Sequence, residues 1–160
     1  MKLKQLAAAV LVTASAFGAH ADPLDLSSGS AGFSNTPVIG GFTDTFTFTL
    51  TTPSVANGSL TSALNGAQDV DFASITLTGP SGVFAFTQLN PDPVEVWALP
   101  AAGASLASGA YTLTVIGTNS TAGGSYGGNF AVTAVPEPET YALMLAGLMV
   151  VGFLSKRRAS

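Results

Sequence analysis

The chain contains no cysteine in 160 residues, so a disulfide framework and a thiolate nucleophile are both closed to it. Between Asp22 and Val135 there is no lysine and no arginine, and the single histidine, His20, precedes that stretch. All five basic residues stand at the ends, Lys2 and Lys4 in front and Lys156, Arg157 and Arg158 behind. The stretch without cations holds seven acids: Asp22, Asp25, Asp44, Asp69, Asp71, Asp92 and Glu95. Seven acids against no base give the body a charge of −7. A surface of that sign repels phosphate backbones, which argues against nucleic-acid binding.

The same absences restrict chemistry. Without His, Cys, Lys or Arg, no Ser-His-Asp or Cys-His arrangement is available. Zinc finds no imidazole or thiolate, and a transferring phosphoryl group finds no cation. Only carboxylate chemistry remains, with Asp69 and Asp71, or Asp92 and Glu95, as conceivable pairs. The body is therefore expected not to be an enzyme and to need no cofactor, with calcium left open. Asp44, Asp69 and Asp71 are the candidate calcium ligands, since clustered carboxylates offer the hard oxygens that ion takes. No spaced loop of the EF-hand type accompanies them.

What the chain does have is apolar residues, 47% of the total, in two different patterns. At the front, Lys2 and Lys4 precede an apolar run from Leu6 to Phe17, and Ala19-His20-Ala21 follows. This is the layout of a secretory signal peptide over 1–21, cleaved after Ala21 by signal peptidase, whose pocket admits only small side chains. The alternative is a buried helix of the domain, which the two lysines disfavour.

At the back, Pro136-Glu137-Pro138 leads into an uncharged stretch from Tyr141 to Leu154, which contains Leu145, Leu148 and Val151. Lys156, Arg157 and Arg158 close it. The prolines hold the segment extended and open to a processing enzyme. The fourteen residues from Tyr141 to Leu154 form a helix of about 21 Å, against a hydrocarbon layer of roughly 30 Å. Snorkelling of the basic side chains makes a short transmembrane helix the expectation. The basic trio then sets its orientation, cytoplasmic side inward. An unprocessed single-pass anchor and a C-terminal core helix are the alternatives.

These three parts of residues 135–160, in this order, resemble the PEP-CTERM sorting signal of Gram-negative bacteria. The resemblance implies recognition by exosortase, an integral-membrane cysteine protease, with Pro136, Glu137 and Pro138 as the sorting motif. It also implies passage through the export machinery and a transient hold in the inner membrane. The destination is then the cell surface or an extracellular matrix, with exopolysaccharide and biofilm as the associated partners.

The body, 22–134, reads as strands. From Phe42 to Leu50 large apolar residues and threonines alternate: Phe42, Phe46, Phe48 and Leu50 face one way, Thr43, Thr45, Thr47 and Thr49 the other. That is a half-buried strand. Further strands are expected at Asp71–Thr78, Val83–Leu89, Val94–Leu99, Ala110–Gly117 and Asn129–Val135, separated by Gly- and Pro-rich breaks. Six or seven short strands argue an all-β fold, a single β-sandwich or jelly-roll-like domain. The run from Gly123 to Gly128 reads as a flexible connection before the last strand.

Asp44 falls in phase with the inward phenylalanines, where an unpaired carboxylate is costly. It is expected either to cap the strand's start on backbone N–H groups or to bind a cation. Phe42-x-Asp44-x-Phe46 also resembles the signature of the FxDxF group of PEP-CTERM proteins, which brings no assigned activity. Trp97 shares a strand face with Leu99 and is expected in the core, the alternative being a sugar platform with Tyr111. Asn57-Gly58-Ser59 and Asn119-Ser120-Thr121 fit the N-glycosylation pattern and are expected in loops. Two functions follow: a structural or interaction protein of the envelope, or a calcium-assisted carbohydrate-binding module.

Overall fold

The computed structural model describes residues 21–136 and 138–158. The signal-peptide assignments, including Lys2, Lys4 and Ala19, and the Glu137 of the sorting motif lie outside the described residues.

Eleven strands and one helix follow in order. They are β1 (Ala21–Pro23), β2 (Ser30–Asn35), β3 (Gly40–Leu50), β4 (Ser54–Ala63), β5 (Val70–Gly79) and β6 (Gly82–Ala85). Then come β7 (Thr87–Asn90), β8 (Val94–Ala98), β9 (Ala104–Leu106), β10 (Gly109–Asn119), β11 (Tyr126–Ala134) and α1 (Pro138–Arg158). One sheet has the order β1-β3-β10-β5-β6 and the other β2-β11-β4-β8-β7, with β9 pairing β4. The two sheets form a sandwich-like all-β body. Every pairing is antiparallel except β1 with β3. On each margin the chain passes from one sheet to the other, β1 into β2 and β6 into β7. Buried Phe86 is the pivot of the second crossing, its N–H donating to Ile75 O at 2.9 Å.

The period-two reading of β3 holds. Phe42, Phe46, Phe48 and Leu50 are buried and the intervening threonines are half-buried or exposed. Their rings interlock with the opposite sheet: Phe46 against Phe33 at 4.6 Å, Phe48 against Phe130 at 4.9 Å. Each such side chain removed from water contributes about 1.5–3 kcal/mol. With no cation in the body, this interlayer packing and the sheet hydrogen bonds hold the fold.

The strand count exceeds the expected six or seven, and β4 is the instructive addition. Its buried face carries Ser54, Ala56, Leu60 and Ser62, small residues that give a weak apolar alternation. Gly58 sits where a side chain would strike Phe130 and Phe86, so a residue that reads as a turn is a floor for two rings. Likewise the Gly-Gly-Ser-Tyr-Gly-Gly connection is shorter than expected, because Tyr126, Gly127 and Gly128 already belong to β11. A Cβ on Gly128 would meet the Phe33 ring at 2.6 Å.

Candidate functional sites

The tail is a continuous helix whose described side chains from Tyr141 to Leu154 are all exposed. Tyr141, Leu145, Leu148, Val151 and Leu154 are 54–64% exposed and lie on no face of the sandwich. Glu139 occupies the first turn and Lys156 the last stretch, each suited to the helix dipole. Among the described residues, no helix is long and apolar enough to cross a membrane. This corrects the expectation of a transmembrane helix. The 21-residue α1 is bracketed by charge, and its uncharged part is too short to fill the hydrocarbon layer.

Asp44 stands inside β3, not at its start, and it caps no backbone. Its Oδ2 accepts from Asn35 Nδ2 at 2.9 Å and from the Tyr126 hydroxyl at 2.8 Å. Asn35 and Tyr126 belong to the other sheet, so the carboxylate ties the two layers together. Burial and the adjacent carboxylate push the Tyr126 phenol well above the usual tyrosine value, and it stays protonated and donating. Phe42 stacks on the same Tyr126 ring at 6.0 Å. The Phe42-x-Asp44-x-Phe46 pattern is therefore a packing unit with Tyr126 at its centre. A cleft of about 700 Å3 opens beside it, with Asn35, Thr36, Val38, Asp44 and Ile116 in its walls.

Asp44 is not brought to Asp69 and Asp71. Asp92 joins those two instead, and one carboxylate oxygen from each of the three lies within 4.8 Å of the others. The turn between β7 and β8 carries Asp92 to this point, something its setting between Pro91 and Pro93 does not reveal in sequence. Asp69 and Asp71 have their carboxyls raised, first by desolvation and then by neighbouring acids: Asp71 and Asp92 act on Asp69, Asp92 and Glu95 on Asp71. Asp69 Oδ1 is shielded from solvent without a hydrogen-bond donor. The trio has the oxygen chemistry of a divalent-cation site.

Glu95 does not pair with Asp92. It is 5% exposed and accepts from the Phe72 N–H at 3.0 Å, Gln88 Nε2 at 2.7 Å and Trp97 Nε1 at 2.8 Å. Like Asp44, it joins the two sheets. Trp97 is half-buried against the core, with its indole N–H committed to that carboxylate. Tyr111 is 1% exposed, so it offers no sugar platform. Of the two glycosylation patterns, Asn57 lies exposed in β4, not in a loop. Asn119 ends β10, is 2% exposed and donates Nδ2 to Pro37 O at 2.6 Å, which removes it as an acceptor.

Residues 134–158 match the PEP-CTERM protein-sorting motif. The match covers the end of β11, the Pro136–Pro138 segment and α1 up to its basic end. A PEP-CTERM motif implies an exported protein, transiently anchored at a membrane and processed by exosortase. Comparison with curated proteins finds no match. Among solved structures the chain is similar to Aeromonas hydrophila PliG, a periplasmic lysozyme inhibitor of g-type lysozyme. That likeness has 18% identity, 71% of this chain and 96% of that chain covered, and a TM-score of 0.35. A likeness so slight carries no argument.

Proposed function

We propose that this chain is a non-catalytic structural or interaction protein of the envelope or extracellular matrix, delivered by a signal peptide over 1–21 and sorted by exosortase. The observation that carries the reading is the PEP-CTERM tail itself. It is an exposed apolar helix with a basic end, set directly behind a Pro-Glu-Pro segment. A jelly-roll-like sandwich, membership of the FxDxF group and a Gram-negative inner membrane belong to the same reading, as does association with exopolysaccharide and biofilm. It is supported by a body whose acids are either spent joining the sheets or grouped on one edge, with no side-chain cation or imidazole to complete an active site. In the producing host, Glu137→Ala is expected to leave full-length protein in the membrane fraction. Wild-type chain is shortened and leaves that fraction. Equal processing of both chains would overturn the proposal.

The Asp69, Asp71 and Asp92 arrangement favours a second reading, a calcium-assisted carbohydrate-binding module. Under it, calcium raises the melting temperature by several degrees, EDTA reverses the rise, and Trp97 fluorescence responds to polysaccharide. An unchanged melt in calcium removes this reading and leaves the first intact.

A further inference from the structure

The junction between the body and the sorting tail is unusually short. The last sheet residue, Ala134, pairs with Ser54, and the next N–H, of Val135, donates to Pro53 O at 2.9 Å. Helix α1 begins at Pro138. Three residue steps separate the last backbone bond of the body from the first residue of the helix, a reach of about 10 Å even when fully extended. The interfacial zone on each side of a bilayer is roughly 5–8 Å deep. A helix whose uncharged part is shorter than the hydrocarbon layer draws its flanks toward the interface instead of standing off from it. While the body is folded, Pro136 to Pro138 are thus confined between the rim of the sandwich and the membrane.

Charge placement agrees with that apposition. The tail leaves from the end of the sandwich that holds Leu50, Ser54, Gly79 and Gly109, as the strand registers fix. The opposite end holds Asp44, Asp69, Asp71, Asp92 and Glu95, whereas Asp25 is the acid on the tail side. A rim so poor in acids can approach anionic headgroups with little repulsion.

The end of β11 is also its least secured part. Strand β2 accompanies β11 only from Tyr126 to Ala131, so Thr133 and Ala134 are held by β4 alone, and both are exposed.

Resting on the exosortase reading, we propose that the folded body restrains its own processing. The sorting segment becomes available to exosortase when Thr133, Ala134 and Val135 come off β4 and Pro53, so the stability of this strand end sets the rate of cleavage together with the motif. A protease acting on a rapidly opening segment cuts in proportion to the open population. Residues 133–135 are then positioning residues for the reaction.

Pulse-chase of the full chain in the producing host tests this with three variants. Inserting a flexible Gly/Ser linker of about eight residues between Val135 and Pro136 lengthens the tether without touching the body. It is expected to speed processing at least threefold while leaving the body's melting temperature unchanged. Thr133→Pro, which loosens the strand end, is expected to speed processing in the same direction. A linker variant processed at the wild-type rate overturns the proposal, whatever Thr133→Pro does. Glu137→Ala placed in the linker background is expected to abolish processing. If it is instead cut as fast as its parent, the exosortase reading fails, and the linker comparison still reports on the strand end.

Discussion

At the scale of single residues, the body solves one problem twice: how to keep a carboxylate inside a protein that has no cation to offer it. Asp44 takes an amide and a phenol, and Glu95 takes a backbone N–H, an amide and an indole. Truncating either acceptor orphans its donors, and an unsatisfied buried donor costs about 1–3 kcal/mol. Asp44→Ala is therefore expected to lower unfolding free energy by about 1–3 kcal/mol in urea titrations. Glu95→Ala, with three donors orphaned, is expected to cost more than Asp44→Ala. The acids at the edge behave in the opposite sense. Asp69 and Asp71 have folded-state carboxyls raised above the model value of 3.8, so the folded chain binds more protons than the unfolded chain just above that pH. Their contribution is unfavourable when both are ionised at neutral pH, and it is relieved as pH falls through the raised folded values. Solvent screening keeps the effect small. Asp71→Asn is expected to raise the melting temperature at pH 7 by about 1–2 °C. It is also expected to flatten the pH dependence between about pH 6 and 4, read by calorimetry across that range.

At the scale of elements, glycines set how closely strands and rings approach. A Cβ on Gly79 of β5 would fall into the Tyr111 ring of β10, and one on Gly117 would fall against Asp71 O and the Phe42 ring. Gly79→Ala is expected to destabilise by about 1–3 kcal/mol, as overpacking of a filled core does. Thermal melts of the variant and the parent check it. By contrast, Gly147→Ala on α1, where a new Cβ meets nothing within 4 Å, is expected to leave the body's melt unchanged. The alternation in β3 and β10 was readable because phenylalanine, leucine and valine mark the inward face. In β4 and β2 it was faint because the inward face uses serine, alanine and glycine to make room for rings supplied by other strands.

For the whole molecule, charge is segregated along the long axis of the sandwich, and the tail leaves from the acid-poor end. Adding acid to that rim is expected to weaken the body's approach to an anionic membrane. Thr52→Glu on the loop before β4 is thus expected to lower partition of the full chain onto phosphatidylglycerol-containing vesicles. The loss should be about twofold at low salt and should disappear at high salt, as screened surface electrostatics requires. The same change made at the far end, for example at exposed Gln68, is expected to have little effect, because it lies beyond a Debye length from the interface.

Several properties were settled by residue order alone. Apolar runs flanked by charge mark the two termini, since membrane machinery reads local hydrophobicity without waiting for a fold. The absence of Lys, Arg, His and Cys from the body excludes most catalytic chemistry, because no fold can supply a side chain the chain lacks. The period of two in β3 dictates which phenylalanines turn inward. Tertiary structure decided which carboxylates meet and which are sequestered. Asp92 joins Asp69 and Asp71 because a turn between β7 and β8 brings it across, while Asp44 and Glu95 are taken up by donors on the facing sheet. Those partners stand as far as 82 positions away in the chain, as Tyr126 does from Asp44. Only strand pairing and the stacking of two sheets can bring such distant residues within hydrogen-bonding reach.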